Sequence, residues 1–399
     1  MIQHIIRNKI NEFPGKVIKK VPLPNPILIK GFSYRKKVSQ ICKKNKYKKV
    51  LLICDSVITK LGYHQLIVDS LKKESIECYV FDEINSEPNI KTIKKGSTIG
   101  VKNNVDCIIS LGGGSVLDSG KIMSCAIKLK TTSIKPLLIK FLFIKNKSIP
   151  IISIPTTAGT GAELTVGAVV TTGSTKKSTV IVGLNIVAII LDQELIINIP
   201  KDTKIACGID ALSHGLEGCL SITSSSNDDI NKSFECVKLV LNNLPKAIRS
   251  KDSKVHSNLQ LAAYYGGNAI NKQLAGYIHA FAHALGGKYH IPHGQAIRMS
   301  MIPVLMYQKD ACKDKLYELS KYCGLARKNS SCDEAINNLF DKLDKLCKLC
   351  TIDFDLKMIK KEDYNDLCRR IIVDSINYSS PIVLDKKDIM KILNEIKGE

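Results

Sequence analysis

Two stretches of the chain concentrate side chains that bind metals. In segment 208–217 (GIDALSHGLE), Asp210 and His214 stand four residues apart, the spacing that places both on one face of a helix. Farther on, HAFAHALGG leads to a PHG triplet, so that four of the eight histidines, His279, His283, His290 and His293, fall between 279 and 293. An isolated histidine usually packs or faces water. This density, matched by an Asp-x-x-x-His pair elsewhere, points to a metal centre. Imidazoles combined with a carboxylate suit Fe²⁺ or Zn²⁺ and leave a position open for substrate. His279 and His283 do not form the zinc-protease pattern, because no Glu follows His279.

A second kind of chemistry is written in two small-residue loops. Gly112, Gly113, Gly114 and Ser115 follow a β-rich run and open a helical pattern that carries Asp118 and Lys121. Glycines there let the backbone approach a pyrophosphate, and a helix start offers N–H groups to it. The loop 155–163 (PTTAGTGAE) also follows a β-rich run, and its hydroxyls Thr156, Thr157 and Thr160 suit packing against a ribose or nicotinamide. Asp55 ends the first clear strand, where a carboxylate accepts from a ribose diol and repels the extra phosphate of NADP. A helix cap before 57–61 accounts for Asp55 nearly as well.

The elements that must position these groups fall into two halves. Short β-rich runs at 49–54, 77–81, 105–111 and 150–154 alternate with helical spacing such as 63–75. That alternation predicts a mostly parallel sheet with crossover helices, with ligands bound beyond the carboxyl ends of the strands. From about 200 onward, 208–220, 233–244, 259–270 and 335–349 all repeat apolar residues at helical spacing. The expected organisation is an α/β dinucleotide-binding domain over 1–199 and an all-α metal-binding domain over 200–399.

Bulk properties narrow the class. A 399-residue chain that is 44% hydrophobic can bury two cores. The apolar run 180–191 is about a dozen residues, short of the roughly 20 needed to cross a bilayer. The run 136–155 is broken by Lys140, Lys145 and Lys147, and the first residues lack a secretory signal, so the expectation is a cytoplasmic protein with no membrane partner. The net charge of +22 is spread thinly, mostly as Lys, without a nucleic-acid-binding signature, which argues against a dedicated nucleic-acid partner. Fourteen scattered cysteines read as reduced thiols, and the pair Cys347 and Cys350 as helix packing.

Taken together, the GGGSxxDxxK-type loop, PTTAGTGAE, GIDALSHGLE and the HAFAHALGG–PHG stretch, in that order, resemble the iron-containing (group III) alcohol dehydrogenase family over most of the chain. The resemblance implies a Rossmann-like N-terminal domain and a helical C-terminal domain, a dehydroquinate synthase-like architecture. It implies metal ligation by Asp210, His214, His279 and His293, with His283 near the nicotinamide as a proton-relay residue. It further implies Fe²⁺, with Zn²⁺ as the alternative, a nicotinamide cofactor, a small primary alcohol or aldehyde as substrate, and a homodimer or higher homo-oligomer; Asp55 alone favours NAD over NADP. Glycerol dehydrogenase-like and hydroxyacid–oxoacid transhydrogenase-like chemistries are alternatives on the same scaffold, and a basic nucleic-acid-binding protein is a remote one. The sequence departs from the pattern at Ala162, at Glu87–Pro88, and in a shortened 172–192 segment where Lys176 or Lys177 takes the place of a cofactor-contacting lysine.

Overall fold

The computed structural model describes residues 23–84, 88–131, 148–172, 176–181, 184–223, 225–350, 355–376 and 378–398. The chain divides into two compact units. One runs to Ile199 and takes in Lys251–Gln260; the other takes Pro200–Ser250 and the chain from Leu261. The sequence places the boundary at the same proline but assigns all of 251–260 to the second half. That stretch joins the first unit, where Gln260 Nε2 donates to Asp192 O (3.2 Å) and Gln193 Nε2 to Ser253 Oγ (3.1 Å).

In the first unit, the order along the chain is β1 (Ile27–Gly31), α1 (Val38–Lys44), β2 (Lys49–Ile53), α2 (Ser56–Lys60), α3 (Gln65–Lys73), β3 (Glu77–Phe81), α4 (Ile90–Lys102), β4 (Cys107–Gly112), α5 (Gly114–Lys128), β5 (Ile151–Pro155), β6 (Gly167–Thr172), β7 (Lys176–Ile181), β8 (Ile186–Asp192) and α6 (Glu194–Ile197). Six strands form one parallel sheet in the order β1-β8-β5-β4-β2-β3, and β6 and β7 pair antiparallel as a separate hairpin. The central strands are Ile-, Leu- and Val-rich without polar alternation, as strands covered on both faces must be. One face packs Val50, Leu52, Ile109, Ile152, Ile154 and Ile190 against α1 and α3, and α5 packs over β4 and β5. Each such fully buried aliphatic side chain contributes about 1.5–3 kcal/mol. From β2 the sheet grows through β3 to one side and β4 to the other. Strand order therefore reverses between β2 and β4, the point where open α/β sheets bind ligands.

In the second unit the described helices are α7 (Lys201–Leu220), α8 (Asn227–Ala247), α9 (Ser253–Gln273, whose first residues lie in the other unit), α10 (Tyr277–Tyr289), α11 (His293–Gln308), α12 (Lys313–Tyr322), α13 (Cys332–Leu349), α14 (Tyr364–Ser375) and α15 (Lys386–Lys397). Helix α7 packs on α8, α10, α11 and α12. Its residues from Gly208 to Leu220 are all buried, so any polar group there must find a partner inside. All fourteen cysteines are free thiols, and Cys347 and Cys350 are buried at the end of α13. No described helix is long and apolar enough to cross a membrane. Glu87 and much of 136–155 lie outside the described residues, as do the side chains of Lys176 and Lys177.

Candidate metal and cofactor sites

Three helices of the second unit bring the candidate metal-ligating side chains together. Asp210, His214 and Glu217 recur along α7 and share its inner face; His279 and His283 lie four apart on α10; His293 opens α11 after Pro292. The Oδ1 atom of Asp210 is the focus: Nε2 of His293 lies at 3.4 Å, of His214 at 3.5 Å and of His279 at 3.6 Å. These separations are long for hydrogen bonds, and both Asp210 Oδ1 and His279 Nε2 are buried without a hydrogen-bond partner. Donors held at about 2.1 Å from a common ion in tetrahedral array sit about 3.4 Å apart. The residues therefore fit a cation. Asp210, His279 and His293 keep their donor atoms mutually within 4.8 Å. His214 falls outside that mutual set and stacks on His279, with ring centroids 4.9 Å apart and planes 10° apart.

Glu217 decides which nitrogen of His279 is available. Its Oε2 lies 2.5 Å from His279 Nδ1, and its Oε1 accepts from the His279 backbone N–H at 3.2 Å. A carboxylate accepts, so Nδ1 keeps a proton and Nε2 is the nitrogen that faces Asp210, where an ion would take the place of a second proton, the arrangement of a metal-bound histidine with a supporting carboxylate. Gly276 makes room for it, since a Cβ there would stand 3.0 Å from Glu217 Oε1. The electrostatics follow. Burial disfavours ionised Asp210, but the imidazoles of His214, His279 and His293 outweigh it and hold the carboxyl well below its usual range. Burial pushes His214 down to about 4. For His279, burial is outweighed by Glu217 and Asp210, which push it up to about 10.

His283, the expected proton-relay residue, sits beside this cluster: its ring stacks on His293 (5.4 Å, 22°) and meets His279 edge-on (5.9 Å). Its Nδ1 lies 2.8 Å from Asp374 Oδ2 and 3.2 Å from the Tyr378 hydroxyl. His290, left open by the spacing, instead ends α10 in the left-handed conformation (φ 57°).

In the first unit, both small-residue loops lie at strand carboxyl ends. Gly112 ends β4, and Gly113 caps the helix that Gly114 and Ser115 begin. Thr156 N–H donates to Gly112 O (3.0 Å), joining this loop to the one after β5. A Cβ on Gly113 would come 3.4 Å from Thr157, and one on Gly114 3.4 Å from Thr160 Oγ1. The glycines thus form one rim with Thr157 and Thr160. Asp55 follows β2, the other strand of the switch point, and caps α2 by accepting from Val57 and Ile58 N–H (2.9 and 3.0 Å) through one oxygen. The alternative cap reading is therefore realised, with the second oxygen outside those two bonds.

Asp118 is held within the protein: its Oδ1 accepts from Lys121 Nζ (2.9 Å) and its Oδ2 from Val169 N–H (2.9 Å), so the carboxylate fastens α5 to β6. Lys121 completes the tie through Thr165 Oγ1 (2.9 Å) and Gly167 O (2.8 Å). Among site residues, sequence reading passed over Glu217, Asp374 and Tyr378. Glu217 was visible seven residues after Asp210 on the same helical face. Asp374 and Tyr378 carry no local signal, because only the fold brings them to His283.

Residues 25–193 match the family model described as iron-containing alcohol dehydrogenase, and 204–397 match that of the Fe-containing alcohol dehydrogenase family, C-terminal. The chain is similar to alcohol dehydrogenase 4 of Saccharomyces cerevisiae, 26% identical over 379 residues that cover 93% of this chain and 96% of the relative. It is also similar to 1,3-propanediol dehydrogenase of Citrobacter freundii, 28% identical over 90% of this chain and 94% of the relative. Among solved structures, an alcohol dehydrogenase from Oenococcus oeni superposes with a TM-score of 0.85 at 28% identity, covering 94% of this chain and 99% of the other. With α/β and helical units each matched in full order, the chain belongs to the iron-containing alcohol dehydrogenase family. It is a metal-dependent alcohol oxidoreductase.

Proposed function

We propose that the protein interconverts a small primary alcohol and its aldehyde, with NAD(H) as hydride carrier and Fe²⁺, or Zn²⁺ in its place, held by Asp210, His214, His279 and His293. The observation that carries this reading is the buried, unpartnered Asp210 oxygen ringed by three imidazole nitrogens at 3.4–3.6 Å. When bound, the ion supplies Lewis acidity toward the substrate oxygen and the nicotinamide supplies the hydride chemistry at C4.

The protein's own residues do the rest. Glu217 orients His279. The rim of Gly112, Gly113, Gly114 and Ser115 receives the pyrophosphate, with Thr156, Thr157 and Thr160 beside it, and the second Asp55 oxygen accepts from the adenosine ribose, which favours NAD over NADP. His283 takes the alcohol proton during oxidation and returns it during reduction. The balance is alcohol plus NAD⁺ giving aldehyde, NADH and one proton. The same reading takes the protein as a cytoplasmic homodimer or larger homo-oligomer.

The test is a panel of small alcohols, diols and hydroxyacids, each assayed with NAD⁺ and NADP⁺, on anaerobically purified protein loaded with Fe²⁺ or Zn²⁺. Turnover of primary alcohols with NAD⁺, lost together with bound metal in His279→Ala, is the expected result. Preference for glycerol or a hydroxyacid, or full activity in His279→Ala, would overturn it.

A further inference from the structure

The proton-transfer histidine is built into a three-residue array that involves neither metal nor nucleotide. Asp374 Oδ2 lies 2.8 Å from His283 Nδ1 and 3.0 Å from the Tyr378 hydroxyl, and the hydroxyl lies 3.2 Å from the same Nδ1. Two protonation patterns could be drawn. In one, Tyr378 donates to an unprotonated Nδ1. That pattern sets a nitrogen lone pair against a carboxylate oxygen at 2.8 Å, two acceptors at hydrogen-bond distance with no proton between them. In the other, Nδ1–H and the Tyr378 hydroxyl both donate to Asp374 Oδ2. Every contact is then satisfied, and the ring's remaining acceptor is Nε2. Burial, and next the neighbouring Asp374, hold the Tyr378 phenol well above its ordinary range, so it stays a donor.

We infer that Asp374 and Tyr378 are positioning residues that lock His283 as the Nδ1–H tautomer and so make Nε2 the atom that exchanges the substrate proton. The inference rests on the role given to His283 above. Asp374 imposes the tautomer. Tyr378 supports it by filling the same oxygen from the other side, which also restrains the carboxylate from turning away. Removing Asp374 alone releases Tyr378 to donate to Nδ1, and the ring then switches to Nε2–H, the form that cannot accept a proton at the working nitrogen.

The experiment is side-chain ¹H–¹⁵N correlation on zinc-loaded full-length protein with ¹⁵N-labelled histidine at one fixed pH, the His283 signals being identified by their loss in His283→Gln. The expected result is a protonated-type Nδ1 and an unprotonated-type Nε2 in the unaltered protein, exchanged in Asp374→Leu, with Tyr378→Phe keeping the original pattern. An Nε2–H tautomer in the unaltered protein, or an unchanged tautomer in Asp374→Leu, would overturn the inference. This arm reads out whether or not alcohols turn over, so failure of the proposed activity is seen separately in the substrate panel.

A kinetic arm adds a second test. Asp374→Leu should lower kcat about 100-fold with KM for NAD⁺ and zinc content unchanged, Asp374→Glu should recover part of the loss, and Asp374→Leu should cost nothing further in a His283→Ala background. An equal cost in both backgrounds would assign Asp374 a purely structural role and overturn the inference.

Discussion

Glu217 holds His279 twice, by Nδ1 at 2.5 Å and by the backbone N–H at 3.2 Å, from a helix to which His279 does not belong. Such outer carboxylates set the tautomer and basicity of a metal-binding imidazole, and their loss typically weakens metal binding 10- to 100-fold. Glu217→Ala should therefore bind Zn²⁺ about 10–100 times more weakly in chelator competition. Unaltered affinity would show that the pair only packs.

The rim glycines should separate fold from cofactor binding. A Cβ on Gly113 meets Thr157 at 3.4 Å, an ordinary contact. Gly113→Ala should thus melt within about 1 kcal/mol of the parent protein while raising KM for NADH about 10-fold, because the added methyl occupies the space a phosphate needs. An unchanged KM in steady-state assays would place the nucleotide elsewhere.

Lys121 is 2% exposed and bonded to Asp118, Thr165 and Gly167. Removing one partner of a buried pair leaves the other charge uncompensated, at a typical cost of about 3–5 kcal/mol. Lys121→Met is expected to lower the urea midpoint accordingly. A midpoint equal to that of the parent protein would mean that Asp118 finds another partner.

Glu163, in the second small-residue loop, has a buried Oε1 without a hydrogen-bond partner, and burial pushes its carboxyl from 4.5 up to about 7. Between those values the folded protein keeps a proton that the unfolded chain has released. The contribution of this group to stability therefore falls as pH rises from 4.5 to 7 and is level outside that window. Glu163→Gln removes the dependence, so its melting advantage over the parent should grow from pH 5 to pH 8, toward at most about 3 kcal/mol. Scanning calorimetry at the two pH values checks this; a constant difference would refute it.

Much of the architecture was legible because its signals are local. Strands β2, β3, β4 and β5 fall within a residue or two of the β-rich runs, and Asp210, His279 and His293, singled out by type and spacing, come together in one cluster. The edge strand β1, which starts directly after Pro26 and buries none of its residues, was masked by the prolines before it. Two helices began earlier than their apolar spacing suggested: α8 opens with the polar stretch 227–232 after a capping box at Ser226, and α13 starts after another at Ser331, while α7 begins directly after Pro200 without a side-chain cap. Helix α8 contains Pro245 and α11 contains Pro303, residues that read as breaks in sequence. At the sites, the bonds of Asp118 to Lys121 and Val169 were not legible, because a carboxylate after a glycine-rich loop looks the same in sequence whatever it meets. Asp374 reaches His283 from a distant helix, and spacing rules have no hold on such a pair.

The candidate ligand atoms of Asp210, His279 and His293 come from α7 and from the consecutive pair α10 and α11, so that a distant helix is joined to two neighbouring ones. An ion seated among them would act as a cross-link, and its binding free energy would be part of the folding free energy. Metal supply would then set how long each copy survives. A molecule deprived of its ion would open more often around these helices and meet proteases sooner, well before its substrate became scarce.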